Sequence, residues 1–248
     1  MATVPMTFKE VEKDDFESIL ISIYSYIALI MFILPMYSFI LRIQIDKQSG
    51  VKKHLAILGL SYNAQSLALF VSYTAQITLI SFGIASSMYL GGLFPKSFKE
   101  SPFLIFSFSW VQGVSNFGFI MLVCSLLPQD MYPKLAAKWG TLIYFGSAFA
   151  DFTIQKPSVS EYHKTLMSLL FPTLATARAS RNLCIYEYTP GGPGLAWDNL
   201  WVKYHNYRIG TYFVVMVYAL VLHFLIGMLF EKYGSAPEIF RSAFKYLC

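Results

Sequence analysis

Charge is what this sequence has least of. Only 13% of its 248 residues are charged, against 56% hydrophobic, and mean hydropathy is +0.51. A soluble domain of this length carries about 25% charged residues, so composition alone points to a membrane protein. Cysteine is scarce as well. Cys124, Cys184 and Cys248 are an odd set with no CxxC, which supports neither a disulfide framework nor a zinc site. Cys124 lies in an apolar run and reads as a small buried hydrophobe. No five like charges occur in a row, so the net charge of +5 is neither a polybasic tail nor a nucleic-acid footprint; in a membrane chain it reports basic loops on one face.

The signatures of catalysis are missing too. There is no GxxxxGKS/T, hence no phosphate-cradling loop, and GGPG at 191–194 has no lysine and reads as a turn. Neither HExxH nor GxSxG occurs. The histidines His54, His163, His205 and His223 share no metal-ligand spacing. His223 falls in the middle of an apolar run, where a neutral imidazole bonded to a neighbouring helix is the expectation. Asp151 reads as a boundary residue facing water. Glu187 and Asp198 sit in a long loop with no second carboxylate at acid–base spacing. The N-terminal MATVPMTFKEVEKDDFE sets five acids against two lysines and has no apolar core before Ser18, so it is neither a signal peptide nor a transit peptide. No enzyme activity, no metal and no cofactor are expected, only bound lipid.

Long uncharged runs are present instead. Ser18–Leu41 is 24 residues, Ala56–Pro95 is 40, Ser101–Gln129 is 29 and Ile209–Phe230 is 22. About 20 apolar helical residues cross a bilayer core, and continuous apolar runs mean helices rather than barrel strands. The 40-residue run is too long for one span, which places its span at Ser66–Leu90. Leu135–Ile154, with Lys138 and Asp151 near its ends, makes a fifth span by snorkelling. Thr165–Ala177, with Pro172 inside, is too short to cross and suits a partly inserted helix. Pro35 should bend the first span by removing one ladder bond.

The faces differ in charge. The face holding the Asp46 segment carries nine Lys and Arg in short segments, from Arg42 to Lys245; the other face carries four, Lys9, Lys13, Lys96 and Lys99. The long segment 155–208 is discounted, because long loops cross regardless of charge. The Asp46 face is then the cytosol, or the matrix of a mitochondrion. A short acidic tail opposite, without a signal peptide, suits a mitochondrial inner membrane, with other membranes open. In the second span, GIASSMYLGG puts Gly83, Ser87 and Gly91 on one helix face. Small residues at that spacing let helices approach closely, as a seam inside the bundle or as a dimer interface.

The stretch DKQSGVKKHLAILGLSYNAQ, Asp46 to Gln65, is odd for a plain loop: a charged half, then Leu55, Leu58 and Leu60. That pattern fits a short helix lying in the membrane interface. It resembles the intracellular coupling helix of A-subfamily ABC transporters, roughly E-K-E-x-x-L-K-E-x-M-x-x-M-G-L. Asp46, Lys47, Val51, Lys52, Leu55, Leu58, Gly59 and Leu60 fit or nearly fit, while Gln48 and Lys53 stand where the family tends to have acids. The family's aromatic residues just beyond are replaced by Gln65, Ser66 and Leu69. GLAWDNL, with Gly194, Trp197, Asp198, Asn199 and Leu200, resembles the family's extracytoplasmic G-I/V-x-W-x-N-L motif. EKYGSAPEIF, Glu231–Phe240, resembles its E-Y-G-x-P-x-x-x-F exit sequence.

The resemblance covers about residues 18–248 and implies an all-α integral membrane domain. Its parts are five transmembrane helices, an interfacial coupling-type helix over 46–60, and a short re-entrant helical hairpin within the extracytoplasmic segment 155–208. The final span is 209–230, and an acidic tail, 1–17, precedes the domain. The family's first span, large extracytoplasmic domain and nucleotide-binding domain have no counterpart. The leading expectation is therefore a non-enzymatic accessory subunit of a larger membrane complex. Its partners would be lipids and transmembrane proteins that fill the place of the missing first span. The other expectation is a permease subunit moving lipid or other hydrophobic substrates, with the ATPase on a separate chain. Nucleic acid is not an expected partner.

Overall fold

A chain this apolar must satisfy its own backbone, and every regular element among the described residues is helical, with no strand. The computed structural model describes residues 23–128, 131–151, 160–189, 191–203 and 208–233; the side chains of Lys53, Glu161, Lys232 and Tyr233 lie outside that description. So do the acidic tail and the exit sequence from Gly234 onward.

Helix α1 runs Ile23–Gln48. Its ladder breaks at Met31–Phe32, where the Phe32 amide bonds back three residues to Leu29 O (3.2 Å), and resumes with Met36 N to Phe32 O (3.1 Å). Pro35 accounts for this, since it offers no N–H to the Met31 carbonyl one turn upstream. Asp46–Gln48 belong to the end of α1. Gly50, at φ +70°, turns the chain into a separate short helix α2, Val51–Ile57. The coupling-type segment is thus two helical pieces joined by a left-handed glycine rather than one helix over 46–60.

Helix α3 spans Tyr62–Leu90; it starts four residues before Ser66 because the Ser61 hydroxyl caps it, accepting from Ala64 N at 3.3 Å. Three helices follow that all open on proline: α4 Pro95–Glu100, α5 Pro102–Leu126 and α6 Pro133–Ala148. The stretch around Pro172, expected to be one partly inserted helix, is split. Phe171 is extended, as a residue before proline prefers, and separates α7 Glu161–Leu170 from α8 Pro172–Tyr188. A single 3-10 turn, Trp197–Asn199, precedes α9, Ile209–Tyr233.

Helices α1, α3, α5 and α9 are each long and apolar enough to cross a membrane, which makes this a multi-pass membrane protein. Helix α5 is the hub: 72% of its apolar window is buried, against 17% for α3 and 28% for α9. Its glycines explain the arrangement. A Cβ on Gly118 would stand 2.4 Å from Leu220 O of α9, and one on Gly227 of α9 would stand 2.9 Å from Leu122 N of α5. The two backbones therefore touch with no side chain between them, the close approach that small residues permit between membrane helices. On its other flank, a Cβ on Gly113 would meet Ile77 of α3 at 2.5 Å and Phe32 of α1 at 2.7 Å. The Phe117 ring lies among Phe39, Phe70, Tyr73 and Phe224, so α1, α3, α5 and α9 share one aromatic core.

Gly83, Ser87 and Gly91 are exposed on α3, and nothing lies within 4 Å of a Cβ built on Gly83. Among the described residues, the seam inside the bundle is made by Gly118 and Gly227 instead.

Gly118→Val should push α5 off α9, because the clash is with backbone that cannot rotate away. Overpacking of this kind costs about 1–3 kcal/mol or more. Thermal unfolding in detergent should show a clear fall in midpoint for Gly118→Val and none for Gly83→Val.

Candidate functional site

The interrupted segment 46–60 is tied to the end of the last span by charge. Glu231, near the end of α9, accepts a hydrogen bond from Lys52 Nζ at 2.6 Å and another from the Tyr62 hydroxyl. Lys47 Nζ lies 3.6 Å from the same carboxylate and donates to Cys124 O at 2.8 Å. The Lys52 ammonium also sits 5.7 Å from the centroid of the Tyr62 ring. Glu231 is only 13% exposed and Lys47 only 7%. With Lys52 at 19% exposure the cluster lies between a surface ion pair, worth ~0–1 kcal/mol, and a fully buried one, where losing a partner costs about 3–5 kcal/mol. Gln44 Nε2 to Cys124 O (3.5 Å) and Gln48 Nε2 to Met131 O (2.7 Å) extend the tie to the end of α5 and the approach to α6.

Val51, His54, Ala56 and Ile57 of α2 are exposed. Gly59 has φ +88°; its amide bonds to Ala56 O (3.0 Å) and the Leu60 amide to Leu55 O (3.0 Å). That pair of bonds is a Schellman cap, which explains why a glycine–leucine pair ends this helix. The cap leaves Ile57 at 82% and Leu58 at 81% exposed, with Leu60 beside them. Asp46 is half-buried at the foot of α1, its carbonyl accepting from Ser49 Oγ at 3.3 Å. The structure thus brings Lys47 and Lys52 together, leaves Asp46 apart from their carboxylate, and shows Gly59 and Leu60 shaping the exposed tip.

At the opposite end of the bundle a second carboxylate is fully enclosed. Glu187, near the end of α8, accepts from the amides of Lys96 (2.6 Å) and Ser97 (3.0 Å) and from Ser97 Oγ (2.6 Å). It thereby satisfies the first free amides of α4, which has no capping side chain of its own. Lys96 Nζ returns to Glu187 O at 2.7 Å and Gly192 O at 3.2 Å.

GLAWDNL folds onto this knot. Gly194, at φ +70°, donates to Tyr186 O (3.0 Å) and packs so close that a Cβ would stand 2.7 Å from Lys96 Cβ. Leu195 N donates to Ser97 Oγ at 2.7 Å. Asn199 staples the turn, accepting from Ala196 N (2.9 Å) and donating to Gly194 O (2.8 Å). Leu200 is buried, and its carbonyl accepts from Gly210 N at the start of α9 (2.9 Å). Trp197 and Asp198 are exposed. Sequence reasoning passed over Glu187 by asking only for a second carboxylate; its partners are backbone amides 90 residues away, which no spacing rule reveals.

A third polar group lies inside. Asp151 does not face water: it is 1% exposed, with Arg181 Nη2 at 3.2 Å from Oδ2 and Arg178 Nε at 3.8 Å from Oδ1. Both arginines come from α8, which carries Thr173, Thr176, Ser180 and Asn182 buried as well. His223 of α9 donates its Nε2 proton to Leu170 O at 2.9 Å. That carbonyl is left without a helical partner by the break at Pro172, so the mid-span histidine serves as a tie to the neighbouring helix turn.

No group of three or more His, Cys, Asp or Glu that could hold a metal occurs among the described residues. Each end cluster joins elements distant in sequence. No protein-family model and no curated protein matches the sequence.

Glu187→Ala should strand two backbone amides and the Ser97 hydroxyl, at about 1–3 kcal/mol for each buried donor left unpaired. Hydrogen exchange should then speed up over 94–97 and 191–200 while α2 and the first turn of α3 keep their protection.

Proposed function

We propose that this chain is a non-enzymatic membrane subunit of a larger complex, built as an ABC-exporter-type permease bundle. The order of elements supports the reading: a long helix, a short coupling-type helix, two long helices, α6, the α7–α8 pair, the GLAWDNL turn and a last long helix. In it, α6 with its continuation to Asp151 is the fifth crossing, and α7–α8 is the re-entrant hairpin. The hairpin's turn at Leu170–Pro172 meets α9 at His223. That is about 21 Å along α9 from Ile209 at 1.5 Å per residue, well inside a hydrocarbon core about 30 Å thick.

Two forms of the reading differ in what α2 does. A purely packing subunit has no use for a short helix chained by charge to the last span and bare on its outer side. The observation that carries the transporting form is the Lys52–Glu231–Tyr62 tie. A push on α2 reaches the end of α9 through that carboxylate, and reaches α5 through the Gly118 and Gly227 contacts. The substrate class that suits so apolar a bundle is lipid or another hydrophobic molecule. With no phosphate-cradling motif in these 248 residues, ATP hydrolysis would come from a nucleotide-binding partner seated on Ile57 and Leu58.

A photo-crosslinker at Leu58 in the native complex should capture a nucleotide-binding protein. In reconstituted vesicles Glu231→Gln should cut ATP-driven transport by at least about fivefold, the lower bound of typical coupling energies, while ATPase turnover persists. Capture of transmembrane proteins alone would leave the accessory-subunit form standing. Isolation of the native protein as a lone monomer would remove both.

A further inference from the structure

The Glu231 tie lines one cavity, and the helices that carry Tyr62 and Glu231 line another of opposite character. One, of ≈ 240 Å³, is polar and lined by Lys47, Lys52, Tyr62, Gln65 and Glu231 among others. The other, of ≈ 560 Å³, is an apolar groove floored by Phe117 of α5 and walled by Leu67 and Phe70 of α3 and by Val221, Leu225 and Met228 of α9. Their linings adjoin along both helices: Asn63 of the groove follows Tyr62 in the chain, and Met228 lies one helical turn before Glu231. The groove covers Asn63–Phe70 and Leu220–Met228, about 10–12 Å of helix. That is close to the acyl depth of a single leaflet, half of about 30 Å.

Among the described residues the polar cavity is not self-neutral. Two ammonium groups share one carboxylate. Gln65 adds a second unmet need: its Nε2 is used on Leu60 O at 3.1 Å, while its buried Oε1 has no hydrogen-bond partner. A ligand for both needs carries one negative charge and a hydrogen-bond donor, on an apolar tail that follows the groove.

We propose that this is a binding site for one membrane glycerophospholipid, from the leaflet on the α2 side. Its phosphodiester lies against Lys47 and Lys52, a headgroup hydroxyl or ammonium donates to Gln65 Oε1, and one acyl chain lies in the α3–α5–α9 groove. A free phosphate would leave the groove empty. The site does not depend on whether the chain transports anything; it would bridge the coupling-type helix to the last span in either form of the protein.

The test is native mass spectrometry of the full chain, released from vesicles of equal phosphatidylglycerol and phosphatidylcholine. One phosphatidylglycerol per chain should be retained in preference to phosphatidylcholine. Lys52→Gln should weaken that retention roughly fivefold, the loss of one basic contact to an anionic headgroup, and Lys52→Arg should restore it. Leu225→Trp, on the open wall of the groove, should reduce retention of both lipids with the helical content unchanged. The proposal is overturned by equal retention of the two lipids, by competition from inorganic phosphate alone, or by a Leu225→Trp effect that appears only as loss of a dimer.

Discussion

The structure depends on the bare contact between α5 and α9. Lipid tails are as apolar as the side chains here, so hydrophobicity does not bring these helices together; close backbone packing does. Gly118 lets Leu220 O approach from one side and Gly227 lets Leu122 N approach from the other. With α9 fixed on α5 at two heights, its ends have fixed places. Leu200 hands the chain to Gly210 beside the α8–α4 knot, and Glu231 arrives beside Lys47, Lys52 and Tyr62. Both polar clusters are consequences of one helix held along its length.

Scarcity of charge gives each remaining charge a larger part. Glu231, Glu187 and Asp151 are all enclosed, and each joins segments far apart in sequence: α9 to α1–α3, α8 to α4, and the end of α6 to α8. Carrying an ion into such surroundings is costly unless its partners are built in, and here the donors are in place at each carboxylate. The bundle is thus held by apolar packing along its length and by ionic ties at its ends and at α8.

Four of the five expected spans are long apolar helices, legible because a 20-residue uncharged run has few alternatives in lipid, while the fifth, Leu135–Ile154, runs past the described residues. The disturbance at Pro35 was legible in the same way, from a missing N–H, whereas Pro172 marked a short stretch without revealing its division into α7 and α8. What eluded the sequence is pairing. Gly83, Ser87 and Gly91 show the small-residue pattern yet stand exposed, whereas Gly118 and Gly227 form the seam without it. Periodicity tells which residues share a face; it does not tell which face is covered. Glu231 was visible only as part of an exit motif, since its partners lie 179 and 169 residues away.

The two end carboxylates differ in compliance, and the difference bears on the proposed reading. Glu187 is held mainly by the amides of Lys96 and Ser97, so it cannot shift without carrying α4 with it. Glu231 is held by a lysine ammonium on a flexible stem and by a phenol, groups that follow a moving carboxylate through side-chain rotation. One end of α9 therefore begins beside a rigid knot and the other finishes in a yielding clasp. In the proposed reading a displacement of α2 would enter α9 at this clasp, and the Gly227 contact, one turn inside it, is where it would pass to α5.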